Sequence, residues 1–289
     1  MTVSIEGLHF SWGRHRLFDN LTARTGVHGV YGLFGRNGSG KSTLLKILAG
    51  LQTPDSGQIR VNGQEPRQRA AAFLSGVYIL PEEFHLPDLT TRVLGRTQGR
   101  FYPHFDATQF ESNLQALDVP ADQRFSRMSL GQKKKAAIAF ALATMTPVLL
   151  MDEPTNGLDI ISRSTFKALL SDPVHRERLV VISTHQAHDL ESLMQHIWFI
   201  DAGRIVLSAS MDELACAIAM GVAASASELP QAHLIYQEAV GQHLAWVAGR
   251  SDRSSACATG VQLEMLYKAL SHNKDAVLAC MAPTQGGQP

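Results

Sequence analysis

The sequence predicts an α/β fold: a mostly parallel sheet flanked by helices, with an inserted helical subdomain and a small C-terminal extension. Three observations lead there. Short, unbroken apolar runs at 148–151, 179–183 and 197–200 have the length and composition of strands buried on both faces. Helical stretches at 163–170 and 187–195 separate them, and such alternation favours parallel pairing. Early in the chain, an apolar strand at 27–34 runs straight into a glycine-rich turn followed by a helix at 42–49.

The remaining elements follow in chain order. Val3, Ile5, Leu8 and Phe10 mark an opening strand with an irregularity at Gly7. Gly50 ends the 42–49 helix. A short strand at 58–61 precedes the Asn62-Gly63 turn, and another at 77–80 is stopped by Pro81. From about 83 to 146 the pattern changes to helix and loop, clearest at 110–117 and 130–144, and this is the expected helical subdomain. A strand at 204–207 closes a main domain assigned to 1–210. In the extension, 211–289, residues 212–224 read as helix, 234–247 are weakly periodic, 262–270 form a short helix, and the tail from Ala282 is expected to be disordered.

Composition excludes several classes. Of 289 residues, 45% are hydrophobic and 18% charged, which fits a globular chain, and the formal net charge of +0 gives no electrostatic case for nucleic acid. Three scattered cysteines, Cys216, Cys257 and Cys280, fit reduced thiols in a cytosolic protein better than a disulfide framework. His233, His243 and His272 are too dispersed for a metal site. The N-terminus has no signal-peptide pattern. The longest apolar stretch, 136–151, is broken by Thr144, Thr146 and Pro147, so it reads as helix, turn and strand. Any work at a membrane therefore requires docking onto a spanning partner.

Residues 35–43, GRNGSGKST, satisfy the phosphate-loop pattern G-x-x-x-x-G-K-[ST] in the strand-turn-helix context it needs. The core is therefore expected to be that of a P-loop NTPase. Triphosphate oxygens need many backbone N–H groups converging on one concavity, so Gly35, Gly38 and Gly40 stand where a side chain would collide. Asn37, Ser39 and Thr43 complete the cradle, Lys41 reaches the outer phosphates, and the Ser42 hydroxyl binds the bridging Mg²⁺. Farther on, the 148–151 strand ends in Asp152 and Glu153. Adjacent acids at a strand end can take different roles: Asp152 on Mg²⁺, Glu153 at the attacking water as general base. Taken alone, the pair could equally be a helix cap.

Residues 152–159, DEPTNGLD, resemble the magnesium strand and following loop of ATP-binding-cassette (ABC) ATPases. Ser129-Leu130-Gly131-Gln132 resembles that family's signature motif, and His185 its switch histidine. The resemblance runs over about residues 2–208. It implies two copies, or one copy and a related ATPase subunit, closing around two ATP. The phosphate loop of one copy would face the signature of the other. Ser129 and the Gly131 N–H would contact the γ-phosphate, and Asp159 would line the seam. His185 would hold the attacking water and the γ-phosphate. Trp12, where the family usually has tyrosine, would stack on adenine. Plainer readings stand beside these: Ser129 as a helix cap, His185 as a structural histidine, and Lys133-Lys134-Lys135 as a solvated helix face with no nucleic-acid role.

Two departures from the family pattern matter. Met128 and Leu130 replace a more usual leucine and glycine, and activity is expected to survive because Ser129 and Gly131 remain. After the 77–80 strand, Glu82 occupies the place of a glutamine that touches Mg²⁺; a carboxylate can also ligate it. Glu82, with Leu86-Pro87-Asp88-Leu89-Thr90 and residues 101–106, resembles the branch that exports drugs, antimicrobial peptides or lipids. The implied protein is a cytoplasmic ATPase, peripheral on the inner face of the cell membrane, powering a separate transmembrane permease subunit. The alternative is a soluble ABC-type ATPase in cluster assembly or regulation. The extension is expected to be a packing appendage.

Overall fold

The structure, a computed structural model, describes residues 2–26, 28–185, 190–250 and 260–281. The chain divides into two compact units, Met1–His185 with Trp198–Val206, and Gln186–Ile197 with Leu207–Pro289.

The first unit opens with a three-stranded antiparallel sheet in the order β2-β1-β4: β1 Val3–Trp12, β2 His15–Arg24 and β4 Ser56–Val61. The register slips beside Gly7, in line with the irregularity expected there. Strand β2 has no counterpart among the expected elements. Its inward positions Phe18, Leu21 and Ala23 alternate with polar residues, but two Arg, an Asp and an Asn dilute the apolar signal. Asn62 and Gly63 both have positive φ, 51° and 78°, and return the chain to pair Val61 with Gln64.

The larger sheet has the order β5-β6-β7-β3-β8-β9, with β3 Gly29–Phe34, β5 Val77–Leu80, β6 Val148–Asp152, β7 Leu179–Ser183, β8 His196–Asp201 and β9 Arg204–Ser210. β5/β6, β6/β7 and β7/β3 are parallel pairs. Helix α1, Lys41–Leu48, lies in the core with both sheets: Leu44, Leu45 and Leu48 join Ile5 and Phe10 of β1, Phe18 of β2, Leu150 of β6 and Trp198 of β8. The buried strands 148–151, 179–183 and 197–200 are therefore where the apolar runs put them, since a strand covered on both faces shows no alternation.

Between β5 and β6 the chain is helical: α3 Thr91–Gln98, α4 Ala107–Ala116 and α5 Leu130–Ala143, after a short α2 at Ala71–Gly76. Asp106 caps α4 through the Gln109 N–H. Helix α6, Ile160–Leu170, is capped by Asp159. Helix α5 is apolar nearly all round and buried from Ala136 to Ala143. The expectation of a solvated face for Lys133-Lys134-Lys135 fails for that reason: Lys134 is buried, and Lys135 pairs with Asp159 Oδ2 at 3.5 Å. The helix expected at 187–195 falls partly outside the described residues; of those described, Glu191–Leu193 form a single 3₁₀ turn.

Arg178, which has no carboxylate partner among the described residues, closes the C-terminal end of α5. It donates to the carbonyls of Thr146 at 2.7 Å and Leu142 at 2.9 Å. It also faces His175 Nδ1 at 3.1 Å. A guanidinium only donates, so Nδ1 accepts and His175 is neutral. Burial, and then the Arg178 charge, push the His175 pKa down to about 4. The unfolded chain thus binds one more proton than the native one between about 4 and 6.5. That contribution is complete above pH 6.5 and is lost as pH falls toward 4. The thermal midpoint is expected to drop over that window, by the equivalent of about 2–3 kcal/mol from this group. His175→Gln should flatten that part of the pH profile, and an unchanged profile would remove His175 as the cause.

The second unit differs from its sequence expectation. In place of one helix over 212–224, helix α7 spans Met211–Ala217 and strand β10 spans Ile218–Ala223. Ser210 and Glu213 form a capping box that starts α7. The β-forming run Ile218, Met220 and Val222 then pairs with β12, His243–Gly249, which makes a hairpin with β11, Leu234–Val240. Tertiary pairing overrides the helix propensity of the alanines. Helices α8, Leu263–His272, and α9, Lys274–Met281, follow, and Lys268 of α8 pairs with Glu238 of β11 at 2.9 Å. The expectation of a disordered tail lies outside the described residues.

Candidate active site

The parallel strands β3, β6 and β7 end side by side, and the loops leaving them build one cleft of about 640 Å³. Into it face Trp12, Asn37, Gly38, Gly40, Lys41, Ser42, Thr43, Glu82, Glu153 and His185, all expected from sequence. His15, Leu17 and Asn156 also line it. The first two belong to β2, the unexpected strand, and Asn156 stands inside the DEPTNGLD run with no role assigned to it. A larger cavity, about 1100 Å³, lies in the helical subdomain and includes only Gln132 of the expected residues.

The loop after β3 is shaped for an anion. Gly40 has φ 103°, and a Cβ there would stand 2.5 Å from the Phe18 ring. A Cβ on Gly35 would meet the Ile200 carbonyl oxygen at 2.5 Å and Ser39 Oγ at 2.6 Å. Gly40 is also the N-cap of α1 and caps it with no side chain, leaving the first helical N–H groups to a ligand. Ser39 Oγ is buried with no hydrogen-bond partner among the described residues. Lys41 is buried, and its Nζ donates to the carbonyls of Gly35 at 2.9 Å and Arg36 at 3.3 Å. Burial pulls its pKa below the usual lysine range, while Glu153, Asp152 and Glu82 pull it back up. A buried ammonium bonded to carbonyls alone among the described residues, beside an orphaned hydroxyl and uncapped helix N–H groups, fits a phosphate group.

On the opposite wall, Asp152 is the last residue of β6 and accepts a short hydrogen bond from Ser183 Oγ of β7. Glu153 follows in the left-handed region at φ 45°, and its Oε1 is 2.8 Å from His185 Nδ1. Its N–H donates to the Ser183 carbonyl at 3.1 Å. Asn156 Nδ2 donates to Glu82 Oε1 at 2.9 Å, which holds Glu82 at the cleft wall. Ser42, Asp152 and Glu82 together offer a hydroxyl and two carboxylates, an oxygen donor set that suits Mg²⁺ once phosphate oxygens and water complete it. No group of three or more His, Cys, Asp and Glu side chains that could hold a metal is present among the described residues.

Trp12 lies at the cleft edge, 51% exposed, with its ring at right angles to Phe10 and the centroids 5.2 Å apart. Phe10 is buried, as alternation along the strand required.

Seven expected residues are not among those lining the cleft: Gly35, Ser39 and Asp152, described above, and Ser129, Gly131, Gln132 and Asp159. Ser129 caps α5 in a capping box with Gln132, so the plain reading of Ser129 holds whatever else it does. Gly131 follows in the first turn of α5. Asp159 caps α6 through the Ser162 N–H at 2.8 Å, and the Ser162 backbone and hydroxyl hold its carboxyl down at about 2. Leu130, Ile160 and Ile161, beside these caps, are 77%, 83% and 78% exposed.

Comparison with known proteins agrees with this geometry. Residues 18–156 match the ABC transporter family. The ABC transporter ATP-binding protein YtrB of Bacillus subtilis is 28% identical over 186 residues, 64% of this chain and 64% of that one. The Nod factor export ATP-binding protein I of Paraburkholderia xenovorans is 31% identical over 209 residues, 70% of this chain and 68% of its own length. The lantibiotic transport ATP-binding protein SrtF of Streptococcus pyogenes is 29% identical, and the match takes in 73% of this chain and 91% of that one. Among solved structures, an ATP-binding subunit of an ABC transporter superposes with a TM-score of 0.66 at 22% identity, covering 74% of this chain and 92% of that one, a likeness of fold. The phosphate cradle, the carboxylates opposite it and these relatives lead to one conclusion: the chain belongs to the ATP-binding proteins of ABC transporters.

Proposed function

We propose that the chain hydrolyses Mg²⁺-ATP and that two copies, or one copy and a related subunit, close around two nucleotides to drive export through a separate transmembrane subunit. The observation that carries the proposal is the convergence of Lys41, Ser42, Glu82, Glu153 and His185 on one cleft, with Glu153 and His185 2.8 Å apart.

The chemistry follows from the residues. Phosphoryl transfer needs positioning and charge stabilisation more than covalent help. The Gly35–Thr43 backbone and Lys41 hold the phosphates, and Trp12 supplies a π-face to the base. Ser42 and Asp152, with Glu82, would hold a Mg²⁺ ion, which would supply neutralising charge to the phosphate oxygens. Glu153 accepts the proton of the attacking water, and His185, bonded to Glu153, orients both. Closure by a second copy accounts for Ser129 and Gly131 lying outside the cleft, at a helix N-terminus suited to phosphate. It would also cover Leu130, Ile160 and Ile161.

The membrane partner is supported by the relatives' names and by a surface groove of about 730 Å³ whose walls include Leu51, Leu74 and Phe101. These three side chains are exposed and apolar, fit to receive a segment of another chain. No helix among the described residues is long and apolar enough to cross a membrane. The relatives do not favour an ATPase without a membrane partner.

Two measurements test the proposal. The purified chain should turn over ATP, and chelation of divalent metal should abolish that turnover. In detergent extracts of its own cells, the chain should co-purify with an integral membrane protein. Metal-independent turnover would overturn the site, and a chain that never co-purifies with a spanning protein would overturn the transport role alone.

A further inference from the structure

Lys134 is 6% exposed, and burying an ammonium costs several kcal/mol unless hydrogen bonds compensate. It lies in the second turn of α5, the helix that Ser129 caps. Its Nζ donates to the carbonyl oxygen of Glu153 at 2.8 Å. No ion pair holds it among the described residues; burial pulls its pKa below the usual lysine range, and the carboxylates of Glu82, Asp152 and Glu153 only partly offset that.

The acceptor sits on an unusual backbone. Glu153 at φ 45° is in the left-handed region, which costs a residue with a Cβ about 1–2 kcal/mol. Such a conformation persists only when its surroundings hold it. Here the amide is fixed by Ser183, and the carbonyl accepts from Lys134 and from the Asn156 N–H at 3.2 Å. With the peptide groups before and after Glu153 both held, the Cα–Cβ direction is set, and the carboxylate meets His185 Nδ1.

We infer that Lys134 is a positioning residue for hydrolysis: its ammonium, carried by α5, grips the Glu153 carbonyl and so holds the left-handed backbone that aims the Glu153 carboxylate. This rests on the reading of Glu153 as the base. The neighbouring Lys135–Asp159 pair ties the same helix to the loop that follows. One rigid helix thus joins the Ser129 cap, offered to a second copy's nucleotide, to the base of its own cleft.

The test uses the full chain with Lys134→Met, Lys134→Arg and Lys134→Met combined with Glu153→Gln. Lys134→Met should leave the affinity for a fluorescent ATP analogue, the KM and the melting temperature near wild type. It should lower kcat by about 100-fold, the scale of a 1 Å misplacement. Lys134→Arg, which still donates, should recover part of the loss. In the Glu153→Gln background, Lys134→Met should lower residual single-turnover rates no further, because it acts through Glu153. ATP-bound dimers of Lys134→Met, followed by light scattering, should persist longer than those of wild type. A normal kcat, an equal drop in the Glu153→Gln background, or a matching loss of nucleotide affinity would each overturn the inference. Should Lys134→Met fail to fold, Lys134→Gln takes its place with the same readings. If Glu153→Gln itself turns over normally, the assignment of Glu153 falls; if only the Lys134 variants are normal, this inference falls alone.

Discussion

Glu153→Gln should lower ATP turnover by about 10²–10⁴-fold, the usual worth of a positioned general base, while nucleotide affinity stays near wild type. The amide has the shape of the carboxylate and can keep a hydrogen bond to His185, 2.8 Å away, so the cleft wall is preserved. It cannot take a proton at neutral pH. Binding depends on the opposite wall, the cradle around Lys41, which the substitution does not touch. Loss of hydrolysis with retained binding should leave ATP-closed pairs that do not reopen, seen as a dimer by size-exclusion chromatography with ATP and as a monomer without it. Normal turnover would remove Glu153 from the role of base. Arrested turnover with a persistent monomer would keep the base and discard the two-copy closure.

Lys41→Ala should fail at the earlier step. Its ammonium is the buried cation that the phosphates would meet; it faces a cleft lined by Glu82 and Glu153, and it also feels the charge of Asp152. Removing one partner of a buried charge pair costs about 3–5 kcal/mol, more than 100-fold in affinity. It also leaves those carboxylates to repel the triphosphate and strips donors from the Gly35 and Arg36 carbonyls. Titration with a fluorescent ATP analogue should show little binding, while the thermal melt shows the chain still folded. Near-normal affinity would mean that the backbone N–H groups hold the phosphates without Lys41. The two variants thus separate binding from chemistry: one binds without turning over, the other does neither.

Much of the fold and the site is legible in the sequence because the signals are local. The phosphate loop needs its glycines at fixed spacing, so residues 35–43 declare it by themselves. Doubly buried strands need unbroken apolar runs, and β6, β7 and β8 follow them. Where the pattern is mixed, the sequence misleads. β2 carries more polar than apolar residues, and with it His15 and Leu17 escape notice at the cleft. Residues 218–223 include the helix-forming Ala219, Met220 and Ala223, yet pair as a strand, because partner strands rather than local propensity decide a sheet.

The sequence by itself supplied the candidates: a phosphate-loop pattern, a serine and an aspartate proposed for the metal, and a glutamate and a histidine proposed for the water, each named within its own short segment from spacing, residue type or family resemblance. Tertiary structure alone decided which of these meet. Glu153 and His185 are 32 residues apart and touch because β6 and β7 are parallel neighbours with Asp152 opposite Ser183. Lys134 reads in the sequence as one of three solvated lysines; it is buried because the face of α5 that carries it meets the Glu153 carbonyl at the end of β6. Spacing along a chain reports contacts within one turn or one strand, whereas a contact between elements depends on register and packing, which no single stretch of sequence contains.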